Sequence, residues 1–93
     1  MKLYEGWVQS DEDGLFVSWS ANGCYQLPMD FSGVIVVGEL HGIPVLAWKR
    51  RFMIGGQFDR SKLAQETEAV LGETGSLISP SSLRDGTKVL VMS

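Results

Sequence analysis

Hydrophobic and polar residues alternate through most of the first half of the chain, and turn-forming pairs cut the alternation. Lys2 to Gln9 reads as a first strand. Asp11-Glu12-Asp13-Gly14 follows it, and an Asp-Gly step tolerates the positive φ of a tight hairpin. Leu15, Val17 and Trp19 then alternate with Phe16, Ser18 and Ser20, the two-residue period of a half-buried strand. Asn22-Gly23 is a strong hairpin signal. Cys24 to Leu27 is the predicted return strand, stopped by Pro28, which cannot donate to a central ladder. Asp30 to Gly33 reads as a loop. Gly33 to Leu40 is apolar on both faces and rich in β-branched residues. That predicts a central strand covered on both sides, or a barrel strand at an interface. His41-Gly42 predicts a two-residue hairpin loop, with Ile43 to about Phe52 as the partner strand.

The period changes to that of a helix once, over Phe58 to Leu71. Asp59 is a good N-cap, and Phe58 and Leu63 have the spacing of a hydrophobic staple. Leu63, Val70 and Leu71 share a face, and Gly72 is placed to end the helix. Glu73 to Ser82 is loop-like, with a short strand predicted at Leu77–Ser79. Asp85-Gly86 then turns the chain into a last strand, Lys88 to Met92. The order β-β-β-β-β-α-β, joined by tight turns, predicts a mainly β protein with one helix. The expected form is an antiparallel five- or six-stranded barrel or half-barrel, SH3-like or OB-like, with the helix plugging one end. An α+β sheet with the helix on one face is the alternative.

Composition narrows the class. At 93 residues, with 44% hydrophobic and 20% charged, the chain reads as one globular domain, 1–93, and not as a disordered segment. A net charge of -3 argues against general affinity for nucleic acid or an anionic membrane. The longest apolar run, Val34–Val37, is too short to span a bilayer, and the N-terminus has no apolar leader core. A cytoplasmic location is the resulting expectation. The single cysteine, Cys24, excludes an internal disulfide and a Cys-based zinc site. It reads as a small buried hydrophobe. No metal-ligand cluster and no cofactor motif stands out.

The strongest charge asymmetry lies in Trp48 to Lys62, which holds five of the eight basic residues: Lys49, Arg50, Arg51, Arg60 and Lys62. On an ideal strand Lys49 and Arg51 point to solvent together, and Arg50 is aimed at the core side; a bulge that rotates it outward, a barrel rim that leaves its head wet, or a buried acid partner would each accommodate it, and the rim is favoured. Gly55-Gly56 and a helix start then follow, where free backbone N–H groups and the positive dipole end would meet Arg60, Ser61 and Lys62. One reading is an anion or nucleic-acid site built from Lys49, Arg50, Arg51, Gly55, Gly56, Arg60, Ser61 and Lys62. The other is a solvated strand face followed by an ordinary capped helix. The spacing is not that of a Walker motif, and Asp59 already brings a negative charge to the helix start.

His41, the one histidine, sits at a hairpin tip, a poor place for a catalytic imidazole, so no enzyme is expected. Asp11, Glu12 and Asp13 form an acidic tip without the calcium-loop pattern. Trp19 and Trp48 fit the inward pattern, which leaves Trp7, Tyr4 and Tyr25 as candidates for the outside. Trp7, Tyr25, Val34 and Val36 are the candidate interface residues, and the apolar last strand is a candidate unpaired edge. The expected function is a stand-alone binding or accessory module that works by protein–protein contact or self-association, with a homodimer favoured. The alternative is a nucleic-acid-binding or phosphate-binding small barrel.

Overall fold

The computed structural model describes residues 2–20, 23–29, 33–73 and 80–93. Its strands are β1 (Leu3–Asp11), β2 (Gly14–Ser20), β3 (Cys24–Pro28), β4 (Val34–Leu40), β5 (Ile43–Trp48), β6 (Met53–Ile54), β7 (Gln57–Phe58) and β8 (Lys88–Met92). The helix α1 is Arg60–Leu71, and short 3-10 turns occupy Lys49–Phe52 and Pro80–Ser82. Six strands form one sheet in the order β3-β2-β1-β8-β5-β4, and β6 and β7 form a separate small hairpin. The predicted strand at Leu77–Ser79, Asn22 of the predicted turn and most of the Asp30–Gly33 loop lie outside the described residues. No helix among the described residues is long and apolar enough to cross a membrane.

The protein is mainly β with one helix, as the order of elements predicts, and its sheet is an open half-barrel. Two expectations are corrected. The sheet is mixed, because β8 pairs antiparallel with β1 but parallel with β5. The reason is the connection: a strand that returns after a helix crossover runs parallel to the strand before it. And the last strand is no edge, since it lies between β1 and β5.

Side-chain alternation sends two apolar sets to opposite faces. Val8, Val17, Trp19, Val34, Val36, Leu46, Val89 and Val91 form one buried cluster on the concave face. Strands from both halves of the sheet meet in it, so the sheet curls onto itself. Ile35, Val37, Val45, Ala47, Phe52, Leu63 and Met92 form the other cluster, on the convex face. There α1 covers β4 and its neighbours, so the helix lies on a face and does not plug an end. Among the described residues, no helix covers the outer face of β1, β2 and β3. β4, expected to be a central strand, instead ends the sheet; it is apolar on both sides because the curl and the helix cover both of its faces.

Local chemistry sets the boundaries. Asp59 caps α1 by accepting the Lys62 N–H at 3.0 Å, and Phe58 and Leu63 share the outer cluster. Gly72 ends the helix at φ 77°, where its N–H donates to the Glu68 carbonyl. His41 and Gly42 both have positive φ, 52° and 79°, the geometry of a two-residue hairpin turn. Gly6 marks a close approach. A Cβ there would lie 2.6 Å from the Ser18 carbonyl oxygen and 3.1 Å from the Trp19 Cβ. Gly6→Ala is expected to lower stability by about 1–3 kcal/mol, the usual cost of overpacking, read as a shift in the urea midpoint at constant slope.

Candidate functional site

The basic stretch does not fold as a strand. β5 stops at Trp48, and Lys49–Phe52 winds into a 3-10 turn, so two-residue alternation no longer decides where these side chains point. Phe52 becomes the buried anchor of the turn. Arg50, expected at a rim because its strand face was inward, is exposed because the turn rotates it out. Arg51, expected in solvent, is half-buried. Its Nε faces Glu66 Oε2 of α1 at 3.5 Å, and both atoms are shielded from water. That ion pair ties the turn to the helix, so Arg51 is a packing group here.

The glycine pair is also reassigned. Gly55 and Gly56, at φ 58° and 81°, form the two-residue turn of the β6–β7 hairpin, in which Ile54 pairs with Gln57. β7 and Asp59 separate them from the helix start, so they do not line up a cradle of N–H groups with it. Of the predicted set, Lys49, Arg60 and Ser61 do come together. They line an open hollow of about 730 Å³ that Asp59 and Phe58 also line. The Arg60 guanidinium stands 6.0 Å from the Phe58 ring centroid. Lys62 is half-buried one turn into the helix, where its backbone N–H serves the cap.

Arg50 belongs to a different place. With Leu27, Gly33 and Trp48 it lines a cleft of about 280 Å³. Behind it runs a row of rings. Trp19 lies 4.9 Å from Trp48, tilted, and 5.4 Å from Tyr25, stacked. Trp19 is buried and Trp48 half-buried, as their inward pattern predicts.

The exposed aromatic residues gather on the N-terminal half of the sheet. Trp7 is 43% exposed on the outer face, in a cross-strand row with Ser18 and Gln26. Tyr25 and Leu27 are 44% and 39% exposed on β3. Tyr4, by contrast, packs against the inner cluster. Val34 and Val36 are core at 0% and 3% exposed, so they form no interface of the folded chain. They are buried because the curled sheet carries the concave face of β4 toward β2.

All five residues of β3 are exposed, and the strand ends the sheet. Cys24, expected to be buried, is therefore at the surface, on the outer face where no helix reaches. The ladder also fixes the free backbone groups. The Met29 N–H donates to the Leu15 carbonyl at 3.0 Å, in the same register that pairs Val17 with Leu27 and Trp19 with Tyr25. Hydrogen-bonded pairs alternate in an antiparallel ladder, so Leu27 and Tyr25 bond inward to β2. Cys24, Gln26 and Pro28 direct their backbone groups outward. The outward N–H that proline lacks is thus one that the sheet does not use. The sequence signals for this edge are Pro28 and the uncharged run Cys24–Pro28; nothing in the alternation marks Leu27 as exposed.

His41 stands exposed at its hairpin tip. Among the described residues, no group of three or more His, Cys, Asp or Glu side chains could hold a metal ion. Comparison with family models, with curated proteins and with solved structures finds no match to this chain.

The helix start separates a cap from an anion site. Asp59→Ala is expected to cost about 1 kcal/mol in chemical denaturation, and Asp59→Asn to recover most of it, because the amide oxygen still accepts from Lys62.

Proposed function

We propose that this chain is a small cytoplasmic binding module that acts by protein–protein contact, without catalysis of its own, and that β3 is its docking element. The observation that carries the reading is an edge strand whose five residues are all exposed. A partner strand laid along it would bond to Cys24 and Gln26 and pack on Tyr25 and Leu27, as in strand addition. Trp7 offers a second anchor of the residue type that dominates interface energetics. Such a surface needs no basic field, which accords with a net charge of -3.

A second reading rests on Arg50. Its exposed guanidinium lines the cleft beside Trp48, while Lys49 and Arg60 line the neighbouring hollow. A single-stranded nucleic acid would find cations for phosphates and a ring for a base. The Arg51–Glu66 pair and the Asp59 carboxylate reduce the positive charge available, so protein contact is the primary reading.

The test presents immobilised wild-type chain and a Gln26→Pro variant to total cell protein and, separately, to a short single-stranded oligonucleotide at low salt. Proline at position 26 spares the β2–β3 ladder, because the Gln26 N–H points away from it. Protein retained by the wild type and lost on Gln26→Pro is the expected result. Equal retention by both chains would remove docking from the edge. Oligonucleotide binding that falls with salt and is lost on Arg50→Glu, with no protein retained, would put the second reading first.

A further inference from the structure

We infer that the partner strand is β3 of a second copy, antiparallel, in the register that sets Gln26 opposite Gln26 of the partner subunit. This rests on the reading of β3 as the docking element and names its occupant. A two-fold interface must be complementary to itself. β3 meets that demand at the level of backbone, side chains and charge.

Take the backbone first. The outward groups belong to Cys24, Gln26 and Pro28, with Gln26 at the centre. Centred on Gln26, the two strands overlap over their full length, and Cys24 faces Pro28 of the partner subunit. Gln26 exchanges two bonds with its copy, and each Cys24 N–H donates to a Pro28 carbonyl, roughly four bonds in all. The absent proline N–H falls at the strand end, where the Cys24 carbonyl opposite it stays open to water.

The same register sets Tyr25 directly opposite Leu27 of the partner subunit, twice. These are the two exposed large apolar side chains of the strand, at 44% and 39%. Each would cover the other as an aromatic–aliphatic cross-strand pair. Competing registers do less. One centred on Tyr25 leaves Leu27 opposite Gly23, beyond the strand. One centred on Leu27 puts Pro28 opposite Gln26 and forfeits bonds. Charge agrees as well: Cys24–Pro28 carries none, so two copies oppose no like charges. Edges that must stay single are commonly guarded by charged side chains, and this one is not.

The test is sedimentation equilibrium of the full chain up to about 1 mM, since an edge this short buries less than a standard interface. The apparent mass is expected to rise with concentration toward that of a dimer. Gln26→Pro is expected to raise the dimer dissociation constant about tenfold or more, with an unchanged melting curve, because it deletes both central bonds. Register is read separately with Cys24→Ser/Gln26→Cys. Its thiols would face one another with Cα atoms about 5.5 Å apart and form a disulfide dimer on mild oxidation. The native Cys24 pair, about 13 Å apart along the strands, would stay unlinked. A wild type that sediments as a monomer throughout overturns the inference, as does a dimer indifferent to Gln26→Pro. A dimer whose Gln26→Cys thiols do not link overturns the register. The edge as a docking element for other proteins is decided by the retention comparison, so the two readings fail separately.

Discussion

One strand holds the sheet together. β8 is hydrogen-bonded to β1 on one side and β5 on the other, and among the described residues it is the only element joining the β1–β3 meander to the β4–β5 hairpin within the sheet. Take it away and two small sheets remain, each with one face too apolar for water. With it, Val89 and Val91 enter the concave cluster, and Met92 enters the cluster under the helix. Both cores thus depend on five residues from the far end of the chain. These contacts are distant in sequence, which sets a high loop-closure cost before the cores can form.

The position of β8 also decides what is left uncovered. The helix must span from β5 to β8, so it lies over that half of the sheet and meets β4 there. It cannot also reach β1, β2 and β3. Their outer face carries Trp7 beside polar partners, and β3 is left as an edge that nothing described crosses. The exposed surface is therefore a consequence of topology, and the residues on it follow the same logic. Where the helix packs, the alternate positions are Ile35, Val37, Val45 and Ala47; where it does not, they are Glu5, Trp7, Ser18 and Gln26.

Local signals are legible in the chain, and distant ones are not. The turn at His41-Gly42, the cap at Asp59, the staple of Phe58 and Leu63 and the stop at Gly72 each depend on neighbours a few residues away. The first five strands and the mainly β class follow from two-residue alternation, while the short β6–β7 hairpin does not. What could not be read is which strands become neighbours. Nothing local in Lys88–Met92 distinguishes a central strand from an edge, because both are apolar when one face is buried. The basic stretch failed for another reason. Periodicity assumes that a strand continues, and the 3-10 turn after Trp48 resets the phase, so that Arg50 is exposed and Arg51, expected in solvent, is half-buried. The glycine pair was ambiguous in the same way: positive φ serves a hairpin tip as readily as a phosphate loop. Of the three rings that the inward pattern leaves as outside candidates, Trp7 is exposed on the outer face, Tyr25 is exposed at the edge but stacks on Trp19 on the inward face, and Tyr4 packs against the inner cluster.

The two ends of the sheet are managed differently, and the contrast bears on function. β4 ends the sheet with Val34, Ile35, Val36 and Val37 all buried, flanked by α1 and by the 3-10 turn at Pro80–Ser82. Its apolar side chains are enclosed by its own chain. β3 ends the sheet with every residue exposed, without charge and without a covering element among the described residues. Brevity and Pro28 limit how far pairing along it can run, and a short strand with one proline cannot template an extended cross-β stack. The same two features cap the strength of any single contact it makes. An edge of five residues suits reversible association, in which the small buried area keeps the complex weak and backbone register keeps it selective.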